Sequence, residues 1–151
     1  MILSWPGLLI GLAGFLAQAQ DPASDEEVKV TVAAILATER GTDVDPKLEC
    51  LAREVKKIEP GLTGFRVARA TCKSLQVGIS YQFPLVDGKT AWVVVQHPAD
   101  EDNRVSLMVK PPQLGEITYT STCGKYFPIV TRYQTKDKDR LIVAIMIRSC
   151  K

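Results

Sequence analysis

The sequence predicts an α+β domain in which one amphipathic helix packs on a mostly antiparallel β-meander, a sandwich or a coiled sheet, stapled by disulfides. Three observations predict this fold class. Residues 46–59 have clear helical periodicity. From residue 65 onward, short alternating apolar stretches are separated by turn residues, which is typical of antiparallel strands. The chain also holds four cysteines, and an even number in a small exported domain indicates disulfides.

The beginning of the chain differs in composition from the rest. Residues 1–19 carry no charged side chain, residues 8–16 are an apolar core, and the Ala-Gln-Ala sequence at 17–19 fits signal peptidase. We predict a signal peptide over 1–19, a loose acidic leader over 20–27 and a single domain over 28–151. The domain is then periplasmic or secreted, without a membrane span after cleavage. The alternative is an uncleaved membrane anchor.

The first segment of the domain, residues 28–37, fits two interpretations. Val28, Val30 and Val32 alternate with polar residues, which favours a strand. Residues 24–27 resemble a capping box and the segment ends rich in alanine, which would favour a helix. We prefer the strand because β-branched residues are dense here.

The helix has a start signal, an apolar stripe and a stop signal. Asp45 and Pro46 suit the N-cap and the first helical position. Pro60 and Gly61 end the segment. One apolar stripe predicts that the helix covers one face of a sheet. The stripe consists of Leu48, Leu51, Ala52, Val55 and Ile58.

An Asp-Gly pair at residues 87–88 is the strongest hairpin signal in the chain. A two-residue turn there places Phe83 opposite Trp92 and Tyr81 opposite Val94, which are favourable cross-strand pairs.

Two features predict where strands lie within a sheet. Seven consecutive apolar residues, Leu141 to Ile147, stand between Arg140 and Arg148. Such a run predicts a central strand buried on both faces, and it is too short to span a bilayer. Pro84 predicts an edge strand, because proline cannot donate a ladder hydrogen bond.

The helix and the strand after it predict one disulfide. If they pack antiparallel, Cys50 near the start of the helix lies beside Cys72 near the end of the strand. We therefore predict a Cys50–Cys72 bond. A zinc site would need close cysteine pairs such as C-x-x-C, and the sequence has none.

The last hairpin predicts a second disulfide. A turn centred within residues 137–138 places Phe127 opposite Arg148. The same register brings Cys150 close to Cys123, so we predict a Cys123–Cys150 bond.

Charge and motifs narrow the classes of function. Nineteen basic and 17 acidic residues are scattered along the chain and give a net charge of +2, which predicts no nucleic-acid partner. The sequence has no G-x-S-x-G, H-E-x-x-H, phosphate-loop or dinucleotide motif. We accordingly assign no catalytic, cofactor-binding or metal-binding residue.

Several residues remain weak candidates. His97, the single histidine, is either a general base or a strand-end residue. The acidic loop 100–103 offers oxygens to calcium but fits a solvated turn better. The Cys-Gly-Lys sequence at 123–125 is too short to indicate a phosphate site. Four aromatic residues form either a binding patch or part of the core: Tyr81, Phe83, Trp92 and Phe127.

The leading hypothesis is an exported, non-enzymatic binding or envelope-associated domain of unknown ligand, whose partner is another envelope or secreted protein. One alternative is a small hydrolase-like enzyme that uses His97, which would then lie in a cleft beside a polar group. Another is an inhibitor of an exported hydrolase, with loop 98–103 or loop 111–112 protruding.

Six stretches spread over most of the domain resemble small exported proteins of planctomycete-type bacteria. The resemblance implies export and a bacterial origin, and it implies no activity, substrate or site residue. The stretches are VDPKLECLA (44–52), LTGFRVA (62–68), TCK (71–73), VKPP (109–112), GEITYT (115–120) and CGKYFPIVTRY (123–133).

Overall fold

A computed structural model describes residues 26–148. Within this range, no helix is long and apolar enough to cross a membrane. The elements are β1 (Glu27–Thr38), a 3₁₀ turn (Pro46–Leu48), α1 (Glu49–Ile58), β2 (Gly64–Gln76), β3 (Ser80–Pro84), β4 (Thr90–His97), β5 (Arg104–Lys110), β6 (Ile117–Thr122), β7 (Tyr126–Gln134) and β8 (Arg140–Ile147).

The described strands form two antiparallel four-stranded sheets, with the orders β2-β1-β8-β7 and β3-β4-β5-β6. Their inner faces share one core, to which β1, β4, β5 and β8 contribute fully buried side chains. The predicted α+β class is therefore wrong, because the domain is mostly β and its helix has only ten residues. A meander for the whole domain is also wrong: β3 to β6 follow one another in order, but β1 pairs with β8, which lies near the other end of the chain.

The two central strands of the first sheet are apolar on both faces. Val32 and Val143 face the core between the sheets, whereas Ala33 and Ile142 face α1. The strand interpretation of residues 28–37 is confirmed, and so is the central position of the 141–147 run. Only interior positions bury both faces of such strands, which is why the first and last strands become neighbours.

Helix α1 covers the outer face of the first sheet. Its buried side chains pack on Ala33, Ile35 and Ala37 of β1. The predicted N-cap is confirmed, because the Oδ1 atom of Asp45 accepts the Lys47 N–H at 3.0 Å.

The β3–β4 turn lies at the Asp-Gly pair, as predicted. Asp87 and Gly88 have φ values of 54° and 70°, and the Lys89 N–H donates to the Val86 carbonyl oxygen. Positive φ at both central residues defines a type I′ turn. Pro84 ends β3, which is an edge strand as predicted.

The register predicted for this hairpin is wrong by one residue. Phe83 lies opposite Ala91, and Tyr81 lies opposite Val93. Opposite residues share a face of the sheet, and Phe83 and Ala91 are both in the core, whereas Trp92 is on the outer face. Burying Phe83 therefore excludes Trp92 as its partner.

The register predicted for the β7–β8 hairpin is also wrong. Phe127 lies opposite Ile145 and not Arg148. The pairing shifts between Val130 and Gln134, where β7 contains extra residues relative to β8. A symmetric hairpin drawn from the turn alone does not include this irregularity.

The predicted Cys50–Cys72 bond is wrong, because both cysteines are exposed free thiols. A bridge between Val44 and Phe65 places the start of the helical segment beside the beginning of β2. Cys72 pairs with Thr31 near the other end of β2, roughly 20 Å away at about 3.3 Å per strand residue. The helix thus begins at the wrong end of the strand for this bond.

The other terminal predictions lie outside the described residues. They are the signal peptide at 1–19, nearly all of the leader at 20–27, and Cys150 as the partner of Cys123. The Cys123–Cys150 bond stays a prediction, and the description of the whole fold as disulfide-stapled is not supported.

Candidate functional site

A cleft of about 570 Å³ opens where β1 ends and β2 begins. Leu36, Val44 and Phe65 give it an apolar floor, and Arg66 and Asp139 are among the polar residues of its wall. An apolar floor with a few polar groups is the usual composition of a ligand site.

Backbone hydrogen bonds hold the loop 39–45 in place as one wall of the cleft. The Phe65 N–H donates to the Asp43 carbonyl oxygen at 2.9 Å, and the Asp45 N–H donates to the Phe65 carbonyl oxygen at 3.1 Å. The Thr63 hydroxyl donates to the Gly41 carbonyl oxygen at 2.6 Å. The wall is therefore preorganised by its attachment to β2.

Gly64 allows this close approach. A Cβ atom at this position would lie 2.7 Å from the Thr38 Cγ2 atom and 2.9 Å from the Gly41 carbonyl oxygen. Both distances are shorter than real Cβ contacts, so a larger residue would push the loop away from the strand.

Two arginines share one carboxylate at the edge of the cleft. The Oδ1 atom of Asp139 is 3.4 Å from Arg40 Nη2, and its Oδ2 atom is 3.6 Å from Arg66 Nη2. Arg40 also donates to the Asp137 carbonyl oxygen. The Asp139 side chain is only 11% exposed, whereas those of Arg40 and Arg66 are 65% and 63% exposed. We call Arg40 and Arg66 the arginine pair.

The arginine pair has donors that can bind an anionic group of a ligand. One carboxylate cannot occupy all the N–H donors of two guanidinium groups, and the donors left over face solvent. Guanidinium groups bind carboxylates and phosphates through paired hydrogen bonds. Two other carboxylates stand at the cleft: Asp45 caps the helical segment, and Asp43 is exposed and available to accept a ligand N–H.

A third arginine, Arg140, directly follows Asp139 in the chain. Arg140 Nη1 donates to the Thr131 carbonyl oxygen at 3.3 Å and lies 3.8 Å from a Glu59 carboxylate oxygen. Its Nε atom is buried without a hydrogen-bond partner among the described residues. Arg140 thus joins the end of the helical segment to β8.

Sequence reasoning missed this site. Arg40, Arg66 and Asp139 are far apart in the chain, and the pairing of β1 with both β2 and β8 brings them together. The one available signal was a charged residue at the end of each apolar strand, which is too common to identify a site. No protein-family model, curated protein or solved structure matches the chain.

His97 lies away from the cleft. Its side chain is exposed at the end of β4 and forms no hydrogen bond or ion pair with residues 26–148. The enclosed position and polar partner expected of a general base are not found there.

In the acidic loop 100–103, two carboxylates form hydrogen bonds or ion pairs with the loop itself and with the adjacent Arg104. The Oδ1 atom of Asp100 accepts the N–H groups of Arg104 and Asp102, each at 2.9 Å. Chiefly through the Arg104 N–H, these contacts lower the pKa of Asp100. The Arg104 guanidinium also reaches Asp102 at 3.0 Å. Within residues 26–148, no group of three His, Cys, Asp or Glu residues is arranged to hold a metal ion.

The remaining candidates divide between the core and the surface. Phe83 is buried, and Phe127 stacks on Tyr119 with ring centroids 3.9 Å apart. Trp92 is 43% exposed on the outer face of the second sheet. Pro111 is buried, so loop 111–112 does not present a fully protruding surface.

At residues 123–125, the weak candidate for a phosphate site, the backbone amide of Gly124 is already hydrogen-bonded. The Gly124 N–H donates to the Ile147 carbonyl oxygen at 2.8 Å, which continues the pairing of the last strands. This amide is therefore not directed at a ligand.

Proposed function

We propose that the chain is an exported binding domain whose ligand places an anionic group on Arg40 and Arg66 and an apolar part on the floor of the cleft. The single observation that carries the proposal is the arginine pair, held by Asp139 at a preorganised cleft. A shared buried carboxylate fixes both guanidinium groups before the ligand arrives, which lowers the entropy cost of binding.

Export is part of the same proposal. It is supported by the signal-like composition of residues 1–19 and by the resemblance to exported bacterial proteins. The partner that fits this location is another envelope or secreted protein, and its acidic side chains would supply the anionic group.

A titration followed by amide chemical shifts tests the proposal. The probe is N-acetyl-L-glutamate, added to the ¹⁵N-labelled chain at low salt, with N-acetyl-L-lysine amide as the cationic control. We expect the glutamate probe, and not the lysine probe, to shift the amides of Gly41, Gly64 and Phe65. Equal shifts with both probes, or shifts confined to other residues, would contradict the proposal.

Two variants with the same charge change sharpen this test. Arg40→Gln removes one member of the arginine pair and leaves Asp139 with Arg66. Arg53→Gln removes an exposed arginine from the outer surface of α1. We expect roughly tenfold weaker glutamate binding for Arg40→Gln, as for the loss of one charge-assisted hydrogen bond, and no change for Arg53→Gln.

A further inference from the structure

We infer that the free edge of β2 binds an extended acidic segment of a partner protein as an additional strand of the first sheet. The inference extends the proposed function, because Arg66 belongs both to the cleft and to this edge. It commits to a protein partner and to a mode of binding, in which main-chain hydrogen bonds add a strand to an exposed edge.

β2 is a long strand that remains open on one side. It has 13 residues and lies at the edge of its sheet, where β1 is its one neighbouring strand among residues 26–148. The loop 43–45 occupies its outer edge at Phe65, and the open part begins after that residue. Residues 66–74 are exposed except for the half-buried Thr71. Free N–H and C=O groups therefore lie beside an accessible row of side chains.

A β-bulge places the basic residues of β2 on one face. Arg66 pairs with Leu36, and Arg69 pairs with Ala34. Leu36 and Ala34 both face the core between the sheets, so Arg66 and Arg69 share that face although they are three residues apart. Regular alternation would have placed them on opposite faces. The register shift beside Ala68 aligns them.

Lys73 extends this row further along the strand. It pairs with Val30, another residue of the core face. Its Nζ atom lies 5.3 Å from the centre of the Phe83 ring and 3.4 Å from the Gln82 carbonyl oxygen. We call Arg66, Arg69 and Lys73 the basic row.

The charge of the basic row is largely unopposed. β2 contains no aspartate or glutamate, and the side chain of Arg69 forms no ion pair or hydrogen bond with residues 26–148. Opposite charges on adjacent strands stabilise pairing, so an incoming strand with acidic residues on this face is favoured. The row also begins at the arginine pair, which extends the same preference into the cleft.

The other face of β2 is uncharged and favours neutral residues in the incoming strand. It carries Val67, which is 36% exposed, followed by Ala70, Cys72 and Ser74. A segment that alternates glutamate with valine or threonine therefore matches both faces. A second copy of this chain does not, because pairing of two β2 edges would place the two basic rows side by side.

The experiment measures binding of a dye-labelled peptide, acetyl-TEVEVET-amide, by fluorescence polarisation with the full chain. The sequence-matched control is acetyl-TKVKVKT-amide. We expect the acidic peptide to bind and the basic one not to bind. The inference is overturned if neither peptide binds or if both bind equally.

Two double variants separate the basic row from general charge attraction. Arg69→Gln with Lys73→Gln removes two charges from β2, and Arg53→Gln with Lys56→Gln removes two charges from the surface of α1. We expect the first to weaken binding roughly five- to tenfold, as two lost cross-strand pairs would, and the second to have no effect. Equal effects would overturn the inference, and circular dichroism confirms that each variant is folded.

N-methylation of the peptide tests the strand pairing itself. Successive amides of an extended peptide point to opposite edges, so one peptide is methylated at the odd-numbered amides and a second at the even-numbered amides. We expect one of these two peptides to lose binding and the other to retain it. Any other pattern excludes an added strand.

These outcomes also distinguish this inference from the proposed function. Arg40 belongs only to the arginine pair beside the cleft, whereas Arg69 and Lys73 belong only to the edge. If Arg40→Gln loses N-acetyl-L-glutamate but the β2 double variant binds the peptide normally, the cleft stands and the edge inference falls. The reverse pattern supports the edge and rejects the cleft.

Discussion

At the scale of single residues, Tyr119 stands out because its buried hydroxyl has no hydrogen-bond partner among residues 26–148. An unsatisfied buried polar group costs about 1–3 kcal/mol. Tyr119→Phe removes the hydroxyl and keeps the stack on Phe127. We expect the free energy of unfolding in urea to rise by roughly 1 kcal/mol.

The matched control for this change is Tyr133→Phe. The Tyr133 hydroxyl donates to the Asp87 carboxylate at 2.6 Å, so its removal breaks a made hydrogen bond. We expect Tyr133→Phe to lower stability or leave it unchanged. A loss of stability in Tyr119→Phe would contradict the prediction that its hydroxyl is unsatisfied.

Tyr119 also predicts how stability depends on pH. Burial raises the pKa of its phenol above the ordinary value of 10.0, so the folded state favours the neutral form. In the unfolded state the phenol has a pKa of about 10. The contribution of the neutral phenol to the free energy of unfolding is therefore fully present below this pH and is lost as the pH rises above it. We expect the free energy of unfolding to fall less steeply above this pH in Tyr119→Phe than in the wild type. Equal slopes would contradict this account.

Gly64 predicts a stability change at the cleft. Gly64→Ala forces the new Cβ atom against Thr38 and Gly41, and overpacking of this kind costs about 1–3 kcal/mol. Gly115 is the control, because a Cβ atom there would meet nothing within 4 Å. Gly115→Ala should change the midpoint of urea unfolding little. Similar midpoints for both variants would show that the loop yields easily.

At the scale of elements, the helical segment depends on its cap. Asp45→Ala removes the acceptor of the Lys47 N–H, and loss of an N-cap costs about 1 kcal/mol. Asp43→Ala, two residues earlier, removes an exposed carboxylate and should change stability by less than about 0.5 kcal/mol. Thermal unfolding followed by circular dichroism compares the two. An equal loss would show that the cap contributes nothing.

Elements with local signals were predictable from the sequence, and their registers were not. The cap at Asp45 and the apolar run from Leu141 to Ile147 are read from neighbouring residues. Register depends on irregularities such as the bulge beside Ala68, which arise from packing across strands. The same bulge places Arg66 and Arg69 on one face. Strict alternation along the sequence would put them on opposite faces, so it does not predict the basic row.

At the scale of the whole molecule, the two sides of the sandwich differ. On one side, the Tyr119–Phe127 stack joins the edge strands β6 and β7. On the other side, β2 and β3 are linked through Lys73, and most of β2 remains exposed. This asymmetry leaves one edge accessible to a partner and closes the other.

The sheet order and the candidate site were beyond sequence reasoning for the same reason. Both depend on the pairing of β1 with β8, which are separated by most of the domain. The short helix is also the reason that the predicted fold class is wrong. Its periodicity identifies the helix clearly but does not show how much of the core the helix covers. Arg40 and Asp139 meet only after this distant pairing forms.

The most direct test of the central claim is a crystal structure of the chain with N-acetyl-L-glutamate. The proposed function predicts a carboxylate of the probe within about 3 Å of both Arg40 and Arg66, with Asp139 still between them. A probe bound elsewhere, for example beside Trp92, with the arginine pair facing solvent, would contradict it.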